Sequence, residues 1–315
     1  MRAVALLVAM LLAAPAAAQF PSKPIRVLVP FGAGSSTDIV MRILAQPLGL
    51  SLGQPVVVEN KPGADGAIAA AEVARAPADG HTLVLGTNSP FSAVPHLRRN
   101  APYDALADFT PVSLVGNYTF FVVVHPSVPV RTLGELIAHA RANPGKLNYG
   151  TGNTSSIVLT AMFATLANID LVHVPYKSEP PAVTDLLSGT IQMMITSFAP
   201  AAPHLREGKL RALVTTLPKR SPLLPDVPSI VEAGLPKFPI ESWAGMFGPA
   251  KMPKDVTERL NRELNSLLQR ADVRESLFRQ AFEPRGATVE EFAAYVRQQL
   301  DVWGKAIRQA GIPPE

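Results

Sequence analysis

The chain has 315 residues, 47% of them apolar and 17% charged, which excludes global disorder and suits about two folded domains. Lys and Arg number 29 against 25 Asp and Glu, a net charge of +4, and the basic residues are dispersed, so no nucleic-acid footprint is expected. Cysteine is absent, which excludes disulfides, cysteine zinc sites, iron–sulfur clusters, thiol catalysis and a lipoprotein anchor.

Residues 1–18 read as a cleaved signal peptide. Arg2 supplies a minimal positive start, Ala3 to Ala14 an apolar stretch, and Ala16-Ala17-Ala18 small residues for cleavage before Gln19. Pro15 ends the apolar run short of the roughly 20 residues that a spanning helix needs. Export to a bacterial periplasm is therefore expected.

The segments that follow alternate between strand and helix. Ile25–Val29 is a short apolar strand, and a helix is expected from Thr37 to Leu48. Val56–Glu59 is a second strand, Ala67–Arg75 an alanine-rich helix and Thr82–Leu85 a third strand. This βαβαβ pattern predicts a parallel sheet covered on both faces. A second α/β unit opens near Phe120–Val124. Its expected helices are 132–142, 155–166 and 182–187, and its expected strands are 146–149, 171–174, 191–195 and 210–214. Prolines from Pro218 to Pro228 interrupt regular structure, and Glu241–Phe247 reads as extended. The tail reads as helical and without strands. Leu260, Leu264, Leu267 and Leu268 keep helical spacing, and Thr288 with Glu291 forms a capping box. These helices are expected to return to the first unit. The division is then 19–121 and 241–315 for lobe I and 122–240 for lobe II, joined by two crossings that act as a hinge.

One feature occurs in both units. The first strand runs into Phe31-Gly32-Ala33-Gly34-Ser35-Ser36-Thr37-Asp38, and strand 146–149 into Gly150-Thr151-Gly152-Asn153-Thr154-Ser155-Ser156, each followed by a helix. Glycine permits close backbone approach, and free N–H groups at a helix start favour an anion. Two such loops on two lobes could clamp the ends of a diacid. The plainer reading, that Ser and Thr only cap their helices, stays open. Further strand-to-helix loops open on the same edge: Thr87-Asn88-Ser89, Pro175-Tyr176-Lys177-Ser178 and Thr196-Ser197-Phe198. In open parallel sheets ligands bind at this edge. Asp38 reads as a loop-bracing or helix-dipole residue. The six histidines are scattered, no Gly-x-Ser-x-Gly or His-Glu-x-x-His occurs, and Thr37 stands where a dinucleotide fingerprint needs its third glycine. No metal or cofactor is expected.

The segments Pro24–Phe31, Gln54–Gly63, Asp79–Leu83, His173–Lys177, Gly208–Leu213 and Asp226–Ser229 stand in an order and register that resemble the substrate-binding proteins of tripartite tricarboxylate transporters, the Bug or TctC family. The resemblance implies an α/β fold of two lobes, a type II periplasmic binding protein or Venus flytrap, with two parallel or mixed sheets flanked by helices. It implies a monomeric, non-enzymatic receptor that closes on a small organic carboxylate and delivers it to membrane permease subunits. It also implies that one carboxylate is held by amides, hydroxyls and bridging waters of the first lobe's loops. The expected ligand-binding set is Phe31, Gly34, Ser35, Ser36, Thr37, Asp38, Thr87, Asn88, Ser89, Thr151, Asn153, Thr154, Ser155, Ser156, Tyr176, Thr196 and Ser197.

Three positions depart from the family pattern. Ala33-Gly34-Ser35 replaces a usual Pro-Gly-Gly, the second loop is a residue shorter and lacks glycine at Thr154, and Thr196 stands where an aspartate is common. The last departure removes a partner for a ligand ammonium, favouring a carboxylate without an amino group. Phe198 and Trp243 hint at an aromatic or partly apolar ligand. Two other readings compete: a periplasmic sensor that docks on a membrane signalling protein, and an enzyme on a related scaffold. Hydroxymethylbilane synthases resemble the architecture but need a cysteine for their cofactor, which this chain lacks.

Overall fold

The computed structural model describes residues 20–314. The expected signal peptide lies outside the described residues. β1 (Ile25–Val29), β2 (Val56–Asn60) and β3 (Thr82–Thr87) pair in parallel, with α1 (Ser36–Leu52) and α2 (Ala67–Ala74) as crossovers. β4 (Phe109–Tyr118) closes this segment and leads through Thr119 into β5 (Phe120–Val124), which lies in a second sheet. That sheet adds α4 (Leu133–Ala142), β6 (Asn148–Thr151), α5 (Thr154–Ala167), β7 (Val172–Pro175), α6 (Glu179–Leu187), β8 (Met193–Ser197), α7 (Phe198–Arg206) and β9 (Arg211–Thr215). A one-turn helix, α3 (Val94–Leu97), precedes β4. The chain then returns to the first sheet as β10 (Ser242–Pro249), α8 (Lys254–Gln269), α9 (Ala271–Phe278), β11 (Phe282–Pro284) and α10 (Val289–Gln309).

The two sheets share one plan. The first has the order β2-β1-β3-β10-β4 with β11 at its edge, and the second β7-β6-β8-β5-β9. In each, the strand next to the third parallel strand is antiparallel, β10 in one and β5 in the other. Each of these antiparallel strands is supplied by the chain as it arrives from the other sheet. Both sheets are therefore mixed, within the expected parallel or mixed architecture. The expectation of a tail without strands fails, because β11 pairs with β4. β4 itself carries no clear strand signal, since Pro111 sits inside it. The structure absorbs this proline where the β4–β10 register slips between Met246 and Phe247.

Burial explains why the tail folds back. Leu260, Leu264, Leu267 and Leu268 of α8 are buried against the first sheet, as are Phe292, Val296 and Trp303 of α10. The Thr288–Glu291 capping box forms as expected, with the Thr288 side chain accepting from the Glu291 N–H at 3.2 Å. Phe292 rests directly on β10, and only glycine allows it: a Cβ on Gly245 would lie 2.0 Å from the ring. Phe247 stacks on Phe91 with 3.9 Å between centroids and also meets Phe292. Phe292→Ala should remove the keystone of this cluster and cost about 3–5 kcal/mol. The check is a urea titration, in which the midpoint falls while the slope stays that of the parent protein.

Candidate functional site

β1 ends in the loop 30–35, which is shaped by one carboxylate. Gly34 takes a left-handed conformation (φ 79°), and its N–H donates to Asp38 Oδ2 at 2.9 Å. Arg42 Nε and Asn60 Nδ2 donate to Asp38 Oδ1 at 2.9 and 3.0 Å, and Asn60 also holds the Phe31 carbonyl. Burial works to raise the Asp38 pKa, but the hydrogen bonds from Arg42, Gly34 and Asn60 outweigh it and hold the group below the usual carboxylate value. Ser35 is the N-cap of α1 and accepts from the Asp38 N–H at 3.3 Å. Asp38 and Ser35 therefore brace the loop. The next two residues, Ser36 and Thr37, present their hydroxyls to the space between the sheets. Their amides, in the first turn of α1, donate to no protein group among the described residues.

The loops of the second sheet meet them. Ser36 Oγ lies 2.8 Å from Ser197 Oγ at the end of β8. Asn88 Nδ2 donates to Ser155 Oγ at 2.8 Å, and the Thr154 N–H donates to Ser89 Oγ at 3.3 Å. Ser242, at the start of β10, lies 2.9 Å from Ser155 Oγ and donates to Asn88 Oδ1 at 3.0 Å. These groups border a cavity of about 20 Å³, room for about one water molecule. Phe31, Ser36, Thr37, Thr87, Asn88, Ser89, Asn153, Ser155 and Ser197 line it.

The other expected residues are placed elsewhere. Gly34, Ser35 and Asp38 form the brace just described. Thr151 bonds His173 Nε2 at 2.6 Å, and Ser156 donates its N–H to the Asn153 cap at 2.9 Å. The Thr154 hydroxyl is buried with no partner among the described residues, back from the cavity wall. Tyr176 donates to Asp185 Oδ2 at 2.6 Å, and burial and Asp185 together push its pKa up to about 12. Phe198 and Trp243 are core residues, 2% and 0% exposed, so neither offers a ligand an aromatic face.

Four lining residues were missed: Tyr118, Phe120, Ser242 and Glu179. Tyr118 donates to Thr37 Oγ1 at 3.1 Å, and burial pushes its phenol well above the ordinary tyrosine value. Glu179 is the first residue of α6, yet it is buried. Its Oε1 accepts from Thr196 Oγ1 and the Ser197 N–H, both at 2.8 Å, and its Oε2 accepts from Ser197 Oγ at 2.5 Å. Pro180 and Pro181 suit the start of a helix, and that start was a signal for placing Glu179 beside the cleft. The close approach depends on Gly152, where a Cβ would lie 2.3 Å from the Ser178 carbonyl carbon and the Glu179 nitrogen. Thr196 itself brings no carboxylate, but Glu179 places one against its hydroxyl. The argument against a ligand ammonium therefore falls.

Tyr118, Phe120, Ser155 and Ser242 also line an adjoining cavity of about 340 Å³. Its walls are partly apolar (Leu159, Phe238, Ile240, Trp303), and Lys219 and Lys237 stand at its exposed side.

This arrangement, two sheets of one plan whose loops meet over neutral donors, has known counterparts. The profile of the tripartite tricarboxylate transporter family receptor matches residues 40–312. The chain belongs to this receptor family. Protein BugT of Bordetella pertussis is 35% identical over 95% of this chain and 93% of its own length. A solved periplasmic transporter is 37% identical and superposes with a TM-score of 0.89 over 93% of this chain and 99% of its own. The structure of R. palustris Rpa4515 with adipate is 32% identical, with a TM-score of 0.91 over 94% of this chain and all of its own. These structural neighbours are periplasmic binding proteins of two lobes, and the fold of this chain is theirs.

The Asp38 brace makes a testable contribution to acid stability. A carboxylate held below its ordinary value stabilises the fold at pH above that value, 3.8 for aspartate, and this stability is lost as pH falls through the lowered one. Urea midpoints followed from about pH 7 down to pH 2 should therefore drop on the acid side in the parent protein. In Asp38→Asn they should start lower and fall less over the same range.

Proposed function

We propose that this protein is a periplasmic solute-binding protein that captures a small organic carboxylate between its two sheets and hands it to the membrane subunits of a tripartite tricarboxylate transporter. The observation that carries the reading is the meeting of Ser36, Asn88 and Ser89 with Thr154, Ser155 and Ser197 across the cleft. A carboxylate needs donors, and this site offers them without a fixed positive charge. The Ser36 and Thr37 amides lie at the positive end of the 17-residue α1, where an anion is favoured by the helix dipole and by unpaired N–H groups. Neutral donors give orientation without the strong, slow-releasing grip of a buried ion pair, which suits a carrier that must surrender its load.

In this reading the segments of the first sheet form one lobe and β5 to β9 the other, and they close about Thr119 and the return through residues 216–241. The hydroxyl contacts between the loops are then the contacts of a closed state. A ligand enters as they part and takes over their donors. The adipate held by Rpa4515 supports a carboxylate as cargo. The family supports delivery to a transporter.

The reading is tested by thermal shift on the exported form of the protein against a panel of citrate, tartrate, aspartate, glutamate, adipate, nicotinate and terephthalate. A ligand at 100 times its Kd stabilises by about 2.7 kcal/mol, so a selective shift is readily detected. Asn88→Ala or Ser36→Ala should weaken the selected acid about tenfold, roughly 1.4 kcal/mol. Mass spectrometry should recover the acid unchanged. No shift for any acid contradicts the reading, and turnover of the bound acid favours an enzyme instead.

A further inference from the structure

The cavity between the sheets is lined by hydroxyls, amides and aromatic edges, and among the described residues that line it one carries a charge: Glu179. Its carboxylate is 4% exposed and anchored by three donors, Thr196 Oγ1, the Ser197 N–H and Ser197 Oγ. A carboxylate has about four positions at which it can accept a hydrogen bond. Three are taken, and the group still borders the cavity. Ser197 is also the N-cap of α7, so the protein's own carboxylate already occupies the anion-favouring end of that helix. On the opposite side, the Ser36 and Thr37 amides have no acceptor among the described residues. The cavity is therefore uneven: neutral donors face it from both sheets, Asn153 and Ser155 included, and its one anion, Glu179, faces it from the second.

We propose that Glu179 is a specificity-determining residue that makes the second-sheet end of the site reject an anion and seek a donor. This deepens the proposed function and rests on its carboxylate reading. A ligand places its carboxylate against the first-sheet loops. Its other end, near Glu179 and Ser197, is a hydroxyl or an ammonium. A second carboxylate there faces a like charge at short range in a poorly solvated place, which disfavours it. The site then takes hydroxy- or amino-monocarboxylates in preference to the diacids that a symmetric clamp would take. A purely structural role for Glu179, closing the turn between β8 and α7, predicts no such preference.

The test uses two matched series on the intact exported protein. The four-carbon series is butyrate, 4-hydroxybutyrate, 4-aminobutyrate and succinate. The six-carbon series is hexanoate, 6-hydroxyhexanoate, 6-aminohexanoate and adipate. Affinities are measured by calorimetry for the parent protein and for Glu179→Gln. In at least one series the parent should bind the hydroxy or amino acid at least tenfold more tightly than the diacid. Glu179→Gln should shrink that ratio at least tenfold. A parent protein that prefers the diacids overturns the proposal whether or not the variant folds. A folded variant that is less stable but keeps the parent's ranking also overturns it and leaves Glu179 structural. Neither outcome touches the broader carboxylate reading. Absence of binding to every member of both series and to the broader acid panel removes that reading, and this proposal with it.

Discussion

The structure depends on one geometric constraint: two sheets of the same strand order must present the carboxyl ends of their parallel strands to each other. Each sheet obtains its antiparallel strand from the chain arriving from the other, so neither is complete alone. The crossings at Thr119 and through residues 216–241 tie the two together. Loops that in an isolated α/β unit would face water instead face one another. Ser36 meets Ser197, and Asn88 meets Ser155. Groups that would otherwise be buried without partners satisfy each other across the gap. These contacts are between short neutral side chains, so exchanging them for a ligand's oxygen atoms costs little. Longer, charged side chains would lock the gap.

Electrostatics gives the site its direction. The glycine loop of the first sheet is held open by Asp38, whose charge is spent on Gly34, Arg42 and Asn60 and does not reach the cavity. The glycine loop of the second sheet is used differently. Gly152 lets the Ser178–Glu179 backbone come close, and Glu179 then fills the position between β8 and α7 with a negative charge. Two loops that look equivalent in sequence thus serve different ends: the first presents free amides to the cavity, and the second makes room for the backbone that carries Glu179 to the start of α7.

The strand–glycine–helix loops were legible because their signals are local: a strand, a turn that needs glycine, a hydroxyl cap and a helix. The helical tail was legible from the spacing of its leucines and its capping box. β4 was not, because Pro111 contradicts a central strand until the slipped register with β10 is known. Strand 146–149 was placed two residues early, since the turn at Asn143–Gly145 extends to Lys146, whose N–H donates to the Asn143 carbonyl. Tyr118 and Ser242 reach the site through a strand pairing distant in sequence, which no local pattern reveals. Trp243 follows from the same pairing: it adjoins Ser242, and neighbours in a strand face opposite ways, so Ser242 at the cleft places the tryptophan in the core.

The central claim, that a carboxylate lies against the amino end of α1 between the two sheets, is tested most directly by a crystal structure of the protein with its selected acid bound. The account predicts carboxylate oxygens within hydrogen-bond distance of the Ser36 and Thr37 amides and of Asn88 or Ser89, with the Ser36–Ser197 contact opened to admit the ligand. A ligand held wholly in the adjoining cavity by Lys219 and Lys237, with the loop contacts intact, would contradict it.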